Sequence, residues 1–109
     1  MGMIENLEVM LANGQDTALL RFTLGSAFFK EGDAVRAVEH LRQAVRLDPE
    51  YSAAWKIYGK ALQGLDDLEG ARQAFAAGVE TATQKGDLQA AKEMTVFLRR
   101  VQQAIDTKD

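Results

Sequence analysis

The chain carries an internal repeat. Gly25 and Gly59, Ala27 and Ala61, Asp33 and Asp67, Ala37 and Ala71, and Val45 and Val79 each stand 34 positions apart. Conservative pairs fill the space between these identities: Leu24 falls on Tyr58, Phe28 on Leu62, Leu41 on Phe75 and Ala44 on Gly78. Large residues thus recur over large ones and small over small. A unit repeating at this period is one supersecondary motif that cannot bury its apolar face alone, so it has to stack on its neighbours.

Helix punctuation says what the motif is made of. Asn13-Gly14 closes a first short helix and Asp16 caps the next, and Gly32-Asp33 repeats that stop and start one hairpin later. Asp48-Pro49 reads as an N-cap followed by proline at the first helical position, where the missing N–H costs nothing. Asp66 and Glu69 have capping-box spacing with Asp67 an equally good cap, and Gly86-Asp87 starts the last helix. These signals predict about six helices of roughly 9 to 18 residues joined by short turns. No period-two alternation or hairpin dipeptide interrupts them, so the expected class is all-α.

The second copy reads Trp55, Tyr58, Gly59, Leu62, Ala71, Phe75, and the first reads Leu24, Gly25, Phe28, Ala37, Leu41, Ala44, Pro49. Both sets resemble the tetratricopeptide repeat, a helix–turn–helix with tryptophan, glycine, alanine and phenylalanine at these offsets. The resemblance covers residues 16–85 and is to the short stand-alone members found in bacteria. It implies two hairpins in a right-handed superhelical array: repeats at 16–49 and 50–85, an N-terminal capping helix at 1–15 and a C-terminal solvating helix at 86–109, all in one domain. Two departures stand out. Arg21 occupies a place where the family has a large apolar residue, and Thr83 replaces the closing proline, which predicts that its helix runs on to Gly86. Gly25 and Gly59 each cost about 1 kcal/mol against alanine in a helix interior. Their expected return is a close helix crossing, with Ala27, Ala61, Ala37 and Ala71 keeping the seam thin.

Two repeats leave two ends to cover. Ala91, Met94, Leu98, Val101 and Ile105 form one helical stripe, widened by Phe97, as a capping helix needs; a coiled-coil seam has the same spacing but normally takes more heptads. At the other end Ile4, Leu7 and Leu11 share a face, with Met3 and Met10 as flexible filler. That helix is too short to persist undocked. It can cover the end of the first hairpin or lie on the concave wall, and the short turn after it favours the end.

Several function classes are set aside. A composition of 47% hydrophobic and 27% charged residues suits a globular chain, and the apolar runs are too interrupted to span a bilayer. Glu5 and Glu8 do not fit a signal peptide and Asn6 does not fit a myristoylation motif, so a cytoplasmic location is expected. The chain has no cysteine, which removes disulfides, thiol catalysis and cysteine zinc sites. With 13 Lys+Arg against 16 Asp+Glu, and Arg99-Arg100 the only dense basic cluster, nucleic acid is not an expected partner. His40 is the only histidine and has neither a nucleophile nor a ligand set at helical spacing, so no catalysis, metal or cofactor is expected.

A second stripe on the first repeat helix bears on binding. Leu19, Phe22, Ser26 and Phe29 face away from the core stripe of Leu20, Leu24, Ala27 and Phe28. In the family such positions line the concave surface, and the matching places in the second repeat are Ala53, Lys56, Lys60 and Gln63, with Tyr51 at the junction. The expected groove therefore has an aromatic wall of Phe22 and Phe29 and a basic wall of Lys56 and Lys60, suited to a peptide with apolar side chains and a carboxylate. The competing account is that the N-terminal helix buries the phenylalanines and the lysines only solvate a surface. The slots that hold lysine and asparagines in chaperone-tail clamps of the family carry Phe22, Ser26 and Ile57, which argues against that subtype. The expected function is a peptide- or protein-binding adaptor. Its rival is a self-association module that pairs two copies through the apolar end-helix stripes.

Overall fold

A computed structural model describes residues 2–108. Six helices follow one another: α1 (Met3–Ala12), α2 (Ala18–Lys30), α3 (Ala34–Leu47), α4 (Ser52–Gly64), α5 (Leu68–Gln84) and α6 (Leu88–Thr107), with no strand among the described residues. Each helix packs on the next, and α2 also meets α4 and α4 meets α6. The result is two layers, with α2, α4 and α6 side by side in one and α3 and α5 behind them. The slab measures 43 × 33 × 19 Å. Among the described residues, no helix is long and apolar enough to cross a membrane.

Glycine and a large partner meet at the centre of each hairpin. A Cβ added to Gly25 would lie 2.5 Å from Cγ of Leu41, and one added to Gly59 would lie 2.6 Å from Cε1 of Phe75. Leu41 and Phe75 occupy the same place in the two repeats and both are wholly buried. The bare backbone of the first helix in each pair is therefore the floor on which the large side chain of the second one rests. Contact with that side chain offsets the propensity lost.

Most caps fall where the residues predict, with two shifts, at α2 and α4. Thr17 rather than Asp16 caps α2, its Oγ1 accepting from the Leu20 N–H at 3.1 Å. Asp16 is thereby free to pair with Arg21. Asp48-Pro49 makes a turn instead of starting α4: Asp48 Oδ1 accepts from the Glu50 N–H at 3.0 Å, the Tyr51 N–H donates to the Asp48 carbonyl at 3.1 Å, and the helix begins at Ser52. The Pro49 carbonyl left over accepts from Trp55 Nε1 at 2.7 Å. Asp67 alone caps α5, while Asp66 takes a left-handed φ of 61° in the turn before it. The helices span 10 to 20 residues, α6 exceeding the predicted range. Without a proline, Thr83 stays helical and α5 ends at Gln84, just before Gly86 at φ 77°.

Both end helices turn their stripes inward. Ala91, Met94 and Val101 of α6 are buried, and Phe97, Leu98 and Ile105 pack half-buried against the same core. On α1, Ile4, Leu7 and Leu11 face the core, and α1 packs on α2 alone. Ala27 and Lys30 of α2 and its C-cap Glu31 line the crevice beside the first turn of α1. This is the side of α2 away from α4, so α1 covers the end of the array and leaves the surface between α2, α4 and α6 open.

Candidate peptide-binding surface

Three helices of one layer contribute to a hollow of about 430 Å³, lined by Phe29 of α2, Lys60, Gln63 and Gly64 of α4, and Phe97 and Arg100 of α6. The Lys60 ammonium sits 4.6 Å from the Phe97 ring centroid, a cation–π distance that fixes the charge above an apolar floor. Phe97 is in turn seated on Phe75, with ring centroids 5.5 Å apart. Arg100 takes part in no ion pair among the described residues. Two cations and two aromatic rings lining one hollow can hold a carboxylate and an apolar side chain together.

The stripe read from the sequence divides between several roles. Phe29, Lys60 and Gln63 come together in the hollow. Lys56 reaches Glu93 of α6 at 2.8 Å, and the bond it donates holds the Glu93 carboxyl below its ordinary range. Phe22 and Tyr51 lie against each other at 4.8 Å in a small cluster with Val45, Ala54 and Trp55. Leu19 is 65% exposed at the start of α2. The Ser26 hydroxyl oxygen is buried with no hydrogen-bond partner. Phe97 and Arg100 were not anticipated in this place: Phe97 reads from the sequence as part of the capping stripe and Arg100 as surface charge.

Arg21, the departure from the family pattern, is explained by its surroundings. Its guanidinium donates to both carboxylate oxygens of Asp16, at 2.7 and 3.0 Å, and lies 3.1 Å from His40 Nδ1. Arginine has no lone pair to offer, so Nδ1 accepts and is unprotonated. The imidazole stacks on Phe28 at 5.5 Å with the planes 1° apart. A polar trio thus fills the place of an apolar contact. Burial first, and then the Arg21 charge, push the His40 pKa below its ordinary value, against an opposite pull from Glu39, Glu8 and Asp16. The sign follows from linkage. A lowered pKa lets the unfolded chain bind the proton first, so this part of the stability is complete above about pH 6.5 and is lost as the pH falls towards the folded-state pKa. Denaturation curves from about pH 7 to about pH 5 should show falling stability in the native sequence and a flatter profile in His40→Gln.

The tetratricopeptide repeat family model matches residues 28–94. The chain is 59% identical over 102 residues to a TPR repeat-containing protein of Pseudomonas aeruginosa, covering 94% of this chain and 97% of that one. It is similar to a protein of Bordetella parapertussis whose structure was solved in solution: 48% identity, TM-score 0.80, 95% of this chain and 90% of the other. The first TPR of Spaghetti (RPAP3), bound to the HSP90 peptide SRMEEVD, superposes with a TM-score of 0.81 at 25% identity, covering 95% of this chain and 78% of that one.

Proposed function

Because the chain belongs to the tetratricopeptide repeat family, we propose that it is a non-catalytic adaptor that holds a peptide segment in the surface between α2, α4 and α6. The observation that carries the reading is the hollow in which Lys60, seated over the Phe97 ring, shares the lining with Arg100 and Phe29. A peptide ending in a large apolar residue with a free carboxylate matches it: the rings take the side chain and the cations take the charge. Lys56 contributes less to this contact, because Glu93 already neutralises it. The peptide-bound Spaghetti domain supports the use of such a fold for short segments.

Fluorescence anisotropy with a labelled peptide of that kind tests the proposal. Lys60→Glu with Arg100→Glu should weaken binding by tenfold or more, about 1.4 kcal/mol, and amidation of the peptide's C-terminus should do the same. Lys56→Gln should change it much less. Equal binding of the free and amidated peptides would remove the carboxylate from the account. Self-association is the rival reading; the apolar stripes of α1 and α6 expected to carry it face the core instead, and it rests on Leu88, 63% exposed, and Val96, 37% exposed, on the outward side of α6. Sedimentation over a concentration series separates the two.

A further inference from the structure

A hollow of about 520 Å³ lies in the other layer, between α3 and α5, with α4 as its floor. We propose that it is a second docking surface, which takes an acidic polypeptide segment carrying an aromatic or large apolar side chain. At about 100° per residue, Trp55, Tyr58 and Leu62 leave α4 on the side opposite Lys60, so this surface is separate from the groove and does not depend on that reading. The opening exists because α3 and α5 do not pack on each other, and because Gly70, Ala74 and Ala77 leave the α5 wall low.

The residues around it are those that dominate binding energies at protein interfaces, tryptophan, tyrosine and arginine. Trp55 and Tyr58 are half-buried with ring centroids 6.2 Å apart. The indole N–H is committed to the Pro49 carbonyl, so Trp55 offers its ring face. On the α3 wall, Arg42 and Arg46 are exposed and form no ion pair among the described residues. Arg46 is held by Gln43 Oε1 at 2.6 and 2.8 Å, which positions the guanidinium without neutralising it. Asp67 is the one acid in the lining, and its Oδ1 accepts the Gly70 N–H that caps α5.

The repeat supplies an internal control. Positions 34 residues beyond Arg42 and Arg46 hold Ala76 and Glu80, so packing of the hairpin does not demand arginine at either place. The chain as a whole has a net charge of −3, yet this hollow presents two cations outside any ion pair among the described residues, against the one acid Asp67, beside an aromatic floor. At a Debye length of about 10 Å the local pair outweighs the distant acids.

Trp55 is the only tryptophan and reports on the site directly. The probe is an acidic heptapeptide with one central phenylalanine, no tryptophan and both ends blocked, titrated by Trp55 fluorescence and by calorimetry. Saturable binding is expected, weakened at least tenfold by Arg42→Glu with Arg46→Glu and likewise by glycine in place of the peptide's phenylalanine. Lys60→Glu with Arg100→Glu should leave it intact. Both arginines are exposed, and unchanged far-UV circular dichroism confirms that the variant is folded. The proposal is overturned by no heat and no fluorescence change, by equal affinity for the glycine peptide, or by loss in the Lys60/Arg100 variant instead of the arginine one. That last result would place the peptide in the groove, and loss of groove binding alone would leave this surface standing.

Discussion

Gly59→Leu is expected to cost more than about 2 kcal/mol, although leucine is the better helix former by close to 1 kcal/mol. The obstacle is the Phe75 ring, three of whose atoms lie 2.6 to 2.8 Å from the position of the new Cβ. Phase space for relief is small, because Phe75 is wholly buried and packs on Phe97 from α6. The hairpin must therefore open or the ring must leave its rotamer. In thermal unfolding the loss should appear as a fall of roughly 10 °C for a domain of this size. Gly78→Ala should cost about 1 kcal/mol or more as well: the new Cβ would meet Met94 Sδ and lie 3.1 Å from Trp55 Cβ, and Met94 is wholly buried and has no free space to swing into. A neutral Gly59→Leu would mean that α4 and α5 are not held together at this point.

Deletion of residues 1–12 should destabilise the protein by roughly 3 kcal/mol, from the half-burial of Ile4, Leu7 and Leu11 and the re-exposure of apolar surface on α2. Chemical denaturation would measure it. Peptide affinity in the groove should be unchanged in the folded fraction, because α1 packs on α2 alone and on the side away from α4. Tighter binding by the truncated chain would show that the N-terminus competes for the groove.

The fold was legible because its two determinants are paired in the sequence itself: each small residue at one crossing, and the large residue that rests on it, has a counterpart 34 positions on, as Gly25 has Gly59 and Leu41 has Phe75. The Asp48-Pro49 start was misplaced because the same residues also make a good turn, and tertiary contact through Trp55 to the Pro49 carbonyl goes with the turn. The hollow between α2, α4 and α6 was legible only in part. Phe29, Lys60 and Gln63 follow from a stripe on α2 projected onto α4, whose first residues, Ala18 and Ser52, are one period apart. One more period carries Phe29 and Gln63 on to Phe97, but the same residue also widens the apolar stripe of the last helix and was assigned there alone; Arg100, one period beyond the turn residue Asp66, lies off the projected stripe.

The packing order of the helices bears on how the protein folds and fails. Every helix touches only the next one or the next but one, so no contact between elements has to wait for a distant part of the chain to return. Such a topology has a low contact order, for which folding in microseconds to milliseconds is the rule. It also makes injury local. Loss of α1 removes one terminal coupling and leaves the remaining hairpins to support each other, whereas a wedge between α4 and α5 cuts the line of couplings in its interior and parts α1–α4 from α6 except where α4 itself meets α6. Amide exchange should accordingly be slowest in α4 and α5 and quicken towards both ends.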